Sequence, residues 1–354
     1  MKKVKSMLSL MLAIAMVLTL ASCGGNSASS ANSSNSNAPS SSGASSGSSD
    51  EKTYVWRIAH NNAETSQWQL NLLELVDLVK DASGGRLSIE VYPNSQLGDD
   101  TAMCEMIRNN NLDMMLTGGE VPGRWYSPVN LMAMPYLFTD MDHLERCIYG
   151  EPGKMMADGL SEAGLGVFDY WLRANRQILS VNPINTIDDM KGLKIRVPET
   201  EIWIKSMTAL GANPTPVAFS EAFTALQQGV VNAIENPLSA MYTMRFHEVC
   251  PNLALTNHTI SCTTILYSES NFQKLPDDLQ KILRDCMDQI KEENNVITRT
   301  EDEVYIQKMK DEVPGFTVTE PDFESFAVLG RAAHEELVAS VNGQDLYNAI
   351  QALA

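Results

Sequence analysis

Basic charge is scarce in this sequence: 26 Lys and Arg stand against 44 Asp and Glu, a formal net charge of −18 at pH 7. A phosphate backbone demands a basic footprint, so nucleic acid is not an expected partner. Cysteine is scarce too, with six in 354 residues and no Cys-x-x-Cys pair. With Cys23 set aside, Cys104, Cys147, Cys250, Cys262 and Cys286 are an odd number among apolar neighbours. They read as small buried hydrophobes, not as a disulfide framework or a zinc site, and even the local pair Cys250 and Cys262 is not expected to bridge. The histidines His60, His143, His247, His258 and His334 are scattered singly, none at the three- or four-residue spacing of a helical metal site. Also missing are a Gly-x-Ser-x-Gly elbow, a His-Glu-x-x-His pair, a phosphate loop and a dinucleotide glycine fingerprint. The chain therefore calls for no catalytic centre, no metal and no cofactor.

Long apolar runs are limited to one, Met7 to Leu20, which falls short of the roughly 20 residues that span a bilayer. Lys2, Lys3 and Lys5 precede it and Leu20-Ala21-Ser22-Cys23 follows. Residues 1–22 read as a signal peptide, and the stretch resembles the lipobox of bacterial lipoproteins, which implies acylation of Cys23. Two or more acyl chains anchor stably, so an extracytoplasmic, lipid-anchored location is expected. Residues 23–52 are almost wholly Ser, Asn, Gly and Ala, a tether whose relaxed span is about 30 Å.

The body from residue 53 is long enough for two domains. Tyr54 to Ala59 predicts a strand, Trp68, Leu72, Leu75, Val76 and Val79 a helix stopped by Gly84-Gly85, and Leu87 to Tyr92 another strand. Asp99 or Asp100 can cap a helix that ends at Asn109-Asn110-Asn111 before a strand at Leu112 to Thr117. A similar unit returns with a strand over Thr215 to Ala218, a helix capped by Ser220 and stopped by Gly229, and a strand over Val231 to Ile234. Strands alternating with helices predict an α/β fold, and the repetition predicts two lobes, each a sheet flanked by helices, with a ligand cleft between them. A helix that starts at Pro276-Asp277 carries its apolar stripe as far as Met309, which predicts one long element spanning both lobes. His334-Glu335-Glu336 reads as solvated surface.

Two arginines stand at predicted strand ends. Arg176 follows the strand Val167 to Trp171, and Arg196 closes Leu193-Lys194-Ile195 just before Pro198 and a new helix. A planar guanidinium beside the positive end of a helix can make two parallel bonds to a carboxylate. His60 ends the first strand beside Asn61 and Asn62, where a strand tip meets the predicted cleft.

With these residues in place, the body resembles the extracytoplasmic solute-binding proteins of tripartite ATP-independent periplasmic (TRAP) transporters, the DctP family, over about Val55 to Ser340. The resemblance is carried by Tyr92-Pro-Asn-Ser-Gln-Leu-Gly-Asp-Asp100, Asp189-Met-Lys-Gly-Leu-Lys-Ile-Arg-Val-Pro198, Gly211-Ala-Asn-Pro-Thr-Pro216, Ala218-Phe-Ser-Glu221, Glu235-Asn-Pro-Leu238 and Thr256-Asn-His258. It implies a periplasmic-binding-protein-like fold, capture of a small organic acid, and delivery to membrane permease subunits by a monomer that does no chemistry. It also implies that Arg196 pairs with the ligand carboxylate, that Arg176 and Asn236 add contacts, that Phe219 forms an apolar wall and that Asn61 reaches in from the other lobe. The chain departs from the sialic-acid branch at Gly118, where that branch carries an acidic contact, so a hexuronate, an aldonate or a C4-dicarboxylate is expected in preference. His60, Asn62, Glu120 and Trp171 are the candidates for hydroxyl-binding or stacking groups. Lobe boundaries are expected near residues 173 and 262, with 53–173 and 262–301 in lobe I and 174–261 and 302–354 in lobe II. The rival classes are an enzyme that uses His60 or Glu120 as its base, and a sensor, for which no transmembrane or signalling segment follows Ala354.

Overall fold

The computed structural model describes residues 52–354, so the expected signal peptide, the Cys23 lipidation site and nearly all of the tether lie outside the described residues. Strand β1 (Tyr54–His60) opens the body. Helix α1 (Gln67–Ala82) follows because Ser66 accepts a hydrogen bond from the Gln69 amide at 3.3 Å and because Trp68, Leu72, Leu75 and Val79 form one buried stripe. Gly84 and Gly85 end it at φ of +62° and +80°, where an L side chain would be strained. Next come β2 (Leu87–Tyr92), α2 (Asp100–Arg108) and β3 (Met114–Gly118), with the Asp99 carboxylate capping α2 on the Ala102 amide at 2.8 Å. β1 pairs in parallel with both other strands, giving the order β2-β1-β3.

Helices α3 (Met141–Ile148) and α4 (Glu151–Glu162) lead into β4 (Gly166–Ser180). Then β5 (Lys194–Val197), α5 (Glu201–Ala209), β6 (Asn213–Pro216), α6 (Ala222–Gln227) and β7 (Ala233–Pro237) repeat the opening unit. β5 pairs in parallel with β6 and β7, and the order β6-β5-β7 mirrors β2-β1-β3. The repetition in the sequence thus extends to a whole βαβαβ unit. Ser220 is not the cap expected for α6: the chain enters that helix through a 3-10 turn, Phe219–Glu221, and no side chain closes its start.

The remaining elements are α7 (Leu238–Thr243), β8 (Asn252–Tyr267), α8 (Glu269–Phe272), α9 (Asp277–Thr298), α10 (Glu301–Glu312), β9 (Thr317–Thr319), α11 (Phe323–Ala332), α12 (His334–Ser340) and α13 (Gln344–Gln351). β4 and β8, 15 and 16 residues long, pair antiparallel from Gly166 opposite Tyr267 to Ser180 opposite Asn252. Strands of that length reach both halves, so β3 adds to one part of β8 and β7 to the other part of β4. The two half-sheets are therefore joined into one nine-stranded sheet. Along β4 the pairing slips between Arg173 and Arg176 and again before Ile178.

The predicted long helix is two helices, divided at Arg299-Thr300 where Thr300 leaves helical geometry at φ −131° and ψ 0°. α9 packs on α1 and β4, whereas α10 packs on α7, so each serves a different half. An apolar stripe does not reveal such a break, since both helices need one. The chain end differs from expectation as well. Of residues 302–354, expected in the second lobe, α10 packs on α7 and α11 and α12 touch α5, whereas α13 lies against α4, with His143 Nε2 2.9 Å from the Ile350 carbonyl oxygen. His334 is buried, not surface, with Nε2 2.8 Å from the Pro135 carbonyl oxygen and Nδ1 3.2 Å from the Tyr347 hydroxyl. All five cysteines among the described residues are buried and unpaired. Among the described residues no helix is long and apolar enough to cross a membrane, and no group of acidic, His or Cys side chains could hold a metal.

Candidate ligand-binding site

Parallel strands aim their carboxyl ends at a common edge, and in open α/β sheets ligands collect there. In this chain the ends of β1, β3, β5 and β7 present Asn61, Gly118, Arg196 and Asn236 to one cleft between the halves. Its larger part, about 350 Å³, is lined by Asn61, Asp100, Val121, Arg196 and Phe219. A smaller adjoining part of about 40 Å³ adds Trp68, Glu120, Arg173, Arg176 and Asn236.

Arg196 is 3 % exposed and has no carboxylate within salt-bridge distance among the described residues. Its Nε donates to the Val217 carbonyl at 2.8 Å and its guanidinium lies 5.5 Å from the Phe219 ring centre, so the outer nitrogens are held in place with no acid to meet. Burial lowers its pKa to about 10, a measure of how poorly the cation is solvated. Phe219 is itself fixed edge-on against Phe246.

Arg176 lines the cleft and is also paired within the protein. It is buried and grips Glu235 with two bonds, Nε to Oε2 at 2.5 Å and Nη2 to Oε1 at 2.8 Å, while stacking 4.6 Å from the Trp203 ring centre. His258 stands behind this pair, with Nε2 3.5 Å from Glu235 Oε2 and Nδ1 2.7 Å from the Thr256 hydroxyl. Burial alone would raise the Glu235 pKa, but Arg176 beside it holds it below the usual carboxylate range. Most of the binding capacity of Arg176 is thus spent inside the protein, which leaves Arg196 the freer of the two arginines foreseen.

Sequence reasoning missed a third arginine. Arg173 Nη2 donates to Asn236 Oδ1 at 3.2 Å and its guanidinium lies 5.0 Å from the Trp68 ring centre. Its signal was present, since it sits at the expected lobe boundary three residues before Arg176, but a strand pattern does not say which way an irregular stretch turns its side chains. Asp100 was missed as a wall residue because it also reads as a helix start. It accepts hydrogen bonds from Asn61 Nδ2 at 2.6 Å and from the Thr117 hydroxyl at 2.9 Å, and burial pushes its pKa up to about 6 against the effect of both.

Of the other candidates, Asn62 and Glu120 line the cleft, whereas His60 and Trp171 do not. His60 is wholly buried behind Trp68, edge-on to its ring, with Nε2 2.9 Å from Gln69 Oε1, and burial lowers its pKa to about 4. Trp171 belongs to the apolar core with Trp56, Ile58 and Leu72. Glu120 accepts from Trp203 Nε1 at 2.9 Å, and a Cβ added to Gly118 would fall 2.9 Å from its Oε2. The glycine therefore makes room for a carboxylate that arrives from two residues further on.

A family model of bacterial extracellular solute-binding proteins, family 7, matches residues 58–340. The chain belongs to this family, the DctP-type binding proteins of TRAP transporters. Among the relatives of this solute-binding protein, the sialic acid-binding periplasmic protein SiaP of Vibrio cholerae is 32% identical over 280 residues, covering 79% of this chain and 86% of the other. The C4-dicarboxylate-binding periplasmic protein DctP of Rhodobacter capsulatus is 30% identical, covering 76% and 79%. A crystal structure of a TRAP periplasmic solute-binding protein from Sulfurospirillum deleyianum with bound succinate superposes with a TM-score of 0.80 at 27% identity, over 86% of this chain and 100% of that one. The two-lobed fold of the family is thereby the fold of this protein.

Proposed function

We propose that this solute-binding protein captures a small organic acid, a sugar acid or a C4-dicarboxylate, by pairing its carboxylate with Arg196. The observation that carries the reading is a buried guanidinium at the end of β5 with no acid partner, facing a cleft. An uncompensated buried cation costs several kcal/mol, and a ligand carboxylate supplies what the protein withholds. Asn236, Arg176 and Phe219 complete the pocket from the same half, while Asn61, Asn62 and Glu120 receive hydroxyl groups from the other. Family membership and the acids bound by its relatives, sialic acid, C4-dicarboxylates and succinate among them, support an acid. Gly118 does not exclude sialic acid, because the Glu120 carboxylate stands beside the space where a side chain at 118 would begin.

The ligand is released unchanged to the membrane permease subunits, and the protein works as a monomer held outside the cytoplasm by acylated Cys23. Closure pivots where β4 and β8 cross between the halves, at the irregular pairing around Arg173 to Arg176. An enzyme would need a base at the ligand. His60, one of the two candidates, lies behind Trp68 and outside the cleft, which supports binding without chemistry.

The test is a thermal-shift screen of uronates, aldonates, C4-dicarboxylates, keto acids and sialic acid, since a ligand raises apparent stability by mass action. At least one acid should raise the melting temperature of the wild type, and Arg196→Ala should abolish that rise. A rise that survives in Arg196→Ala would remove the assignment.

A further inference from the structure

A second cavity, about 430 Å³, shares no lining residue with the cleft. Three passages of the chain between the halves meet at it: Ala174 and Asn175 of β4, Asn257 and Ile260 of β8, and the division of α9 from α10 at Thr298 to Asp302. Along β4, Arg173 and Arg176 line the cleft while the two residues between them line this cavity, so the slip in pairing gives the strand two working sides. The β8 stretch is fixed by Tyr136, whose amide donates to the His258 carbonyl at 2.8 Å and whose hydroxyl donates to the Thr256 carbonyl at 3.0 Å.

The hydrogen bonds around Asn257 determine which atoms the cavity has to spare. The Asn257 backbone amide donates to Gln177 Oε1 at 2.9 Å, so Gln177 Nε2 is the atom that donates to Asn257 Oδ1 at 2.7 Å. With that oxygen fixed as an acceptor, Asn175 must meet it through Nδ2, at 3.0 Å, which leaves Asn175 Oδ1 buried with no partner among the described residues. Asp302 Oδ1 is likewise buried and unpartnered, and no Lys, Arg or His among the described residues stands within salt-bridge distance of it. Burial pushes the Asp302 pKa up to about 6, as expected of a carboxylate without a cation.

The other charged groups that line the cavity are committed. Asp140 accepts from the His143 amide at 2.7 Å, and Arg299 donates to Asp142 at 2.8 Å and to Glu145 at 2.5 Å. Tyr136, Phe138 and Phe323 supply aromatic surface, Phe323 standing edge-on to Tyr136 at 5.3 Å between ring centres. Ring faces attract cations, and a buried carboxylate with an amide oxygen beside the same space asks for N–H donors. An anion would find no uncommitted positive charge there.

We propose that this cavity is a second binding site, for a small organic cation with an aromatic or hydrocarbon body, whose N–H groups reach Asp302 Oδ1 and Asn175 Oδ1 and whose apolar part lies among Tyr136, Phe138 and Phe323. Nothing in it depends on which solute the cleft holds.

Isothermal titration of the full chain with phenethylamine, tryptamine and benzamidine tests this at about 0.15 M salt, where exposed charges are largely screened. At least one of the three should bind at a single site about tenfold or more tightly than 2-phenylethanol, which has a hydroxyl in place of the ammonium. Asp302→Asn should weaken that binding about tenfold or more, whereas Asp311→Asn, an equal change of net charge at an exposed position of the same helix, should leave it within about twofold. Phe323→Leu, which removes one ring, should weaken it about threefold and carries the test if Asp302→Asn does not fold. Failure of all three cations to bind the wild type would overturn the proposal. So would binding untouched by Asp302→Asn and Phe323→Leu, or weakened as much by Asp311→Asn, since either marks attraction to the acidic surface alone. A chain that takes a cation here but no acid in the thermal-shift screen would lose the acid-binding reading and keep this site.

Discussion

At the scale of single residues, the cleft is governed by which charges the protein neutralises for itself. Glu235 is fully buried and answers Arg176 with two bonds and His258 with a third approach. Removing one member of a buried pair leaves the other uncompensated, a loss of about 3–5 kcal/mol. Glu235→Ala should therefore lower the urea midpoint by that order without ligand present, whereas Arg196→Ala, which removes a cation with no acid partner, should cost the fold much less. Equal losses in the two variants would contradict this division of labour. The Glu235 pKa is depressed in the folded state, so its contribution is complete above the ordinary value of 4.5 and is lost as pH falls through the folded value.

Among elements, the junction of α9 and α10 carries a titratable group under tension. Glu301, the first residue of α10, is buried, accepts from the Ser239 hydroxyl at 2.9 Å, and has its pKa pushed up to about 7 by burial, with Asp302 beside it adding to the rise and Arg173 opposing it. A carboxyl whose folded pKa lies above its unfolded value of 4.5 takes up a proton on folding, so its penalty is absent below about 4.5 and complete above about 7. Glu301→Gln keeps the shape and removes the charge. It should be more stable than wild type by about 2–3 kcal/mol at pH 8 and should match it near pH 4.5, as read from denaturant midpoints across that range. A difference that does not vary with pH would exclude this account. No sequence pattern announces the junction, since the apolar stripe runs on through Met309 and only the packing of α10 on α7 separates the two helices.

For the whole molecule, the duplicated βαβαβ units share the long strands β4 and β8, the place about which the proposed closure turns. The proposed anchor determines where that happens. Cys23→Ser should release the protein from the membrane fraction into the soluble extracytoplasmic fraction, with ligand binding by the body unchanged. Variant protein that stays with membranes, measured by fractionation and immunoblotting, would remove the lipid-anchor proposal.

What the sequence determined by itself were features set by neighbours a few positions apart. Ser66 and Asp99 cap their helices, Gly84-Gly85 stops one, the strands alternate, and Arg196 stands at a strand end beside a helix start. These follow from backbone geometry and local hydrogen bonding, which short stretches of chain encode. The tertiary structure alone decided which arginines are free. Arg176 and Glu235 are 59 positions apart and Arg173 and Asn236 are 63 apart, so compensation of charge depends on contacts no local pattern records. The same holds for His60 and Trp171, which sit at plausible strand tips yet face the core, because a side chain's surroundings are set by the elements packed over it. Arg196 was legible because its place in the chain fixed its place in space; Arg173 became legible only when Trp68 and Asn236 were brought to either side of it.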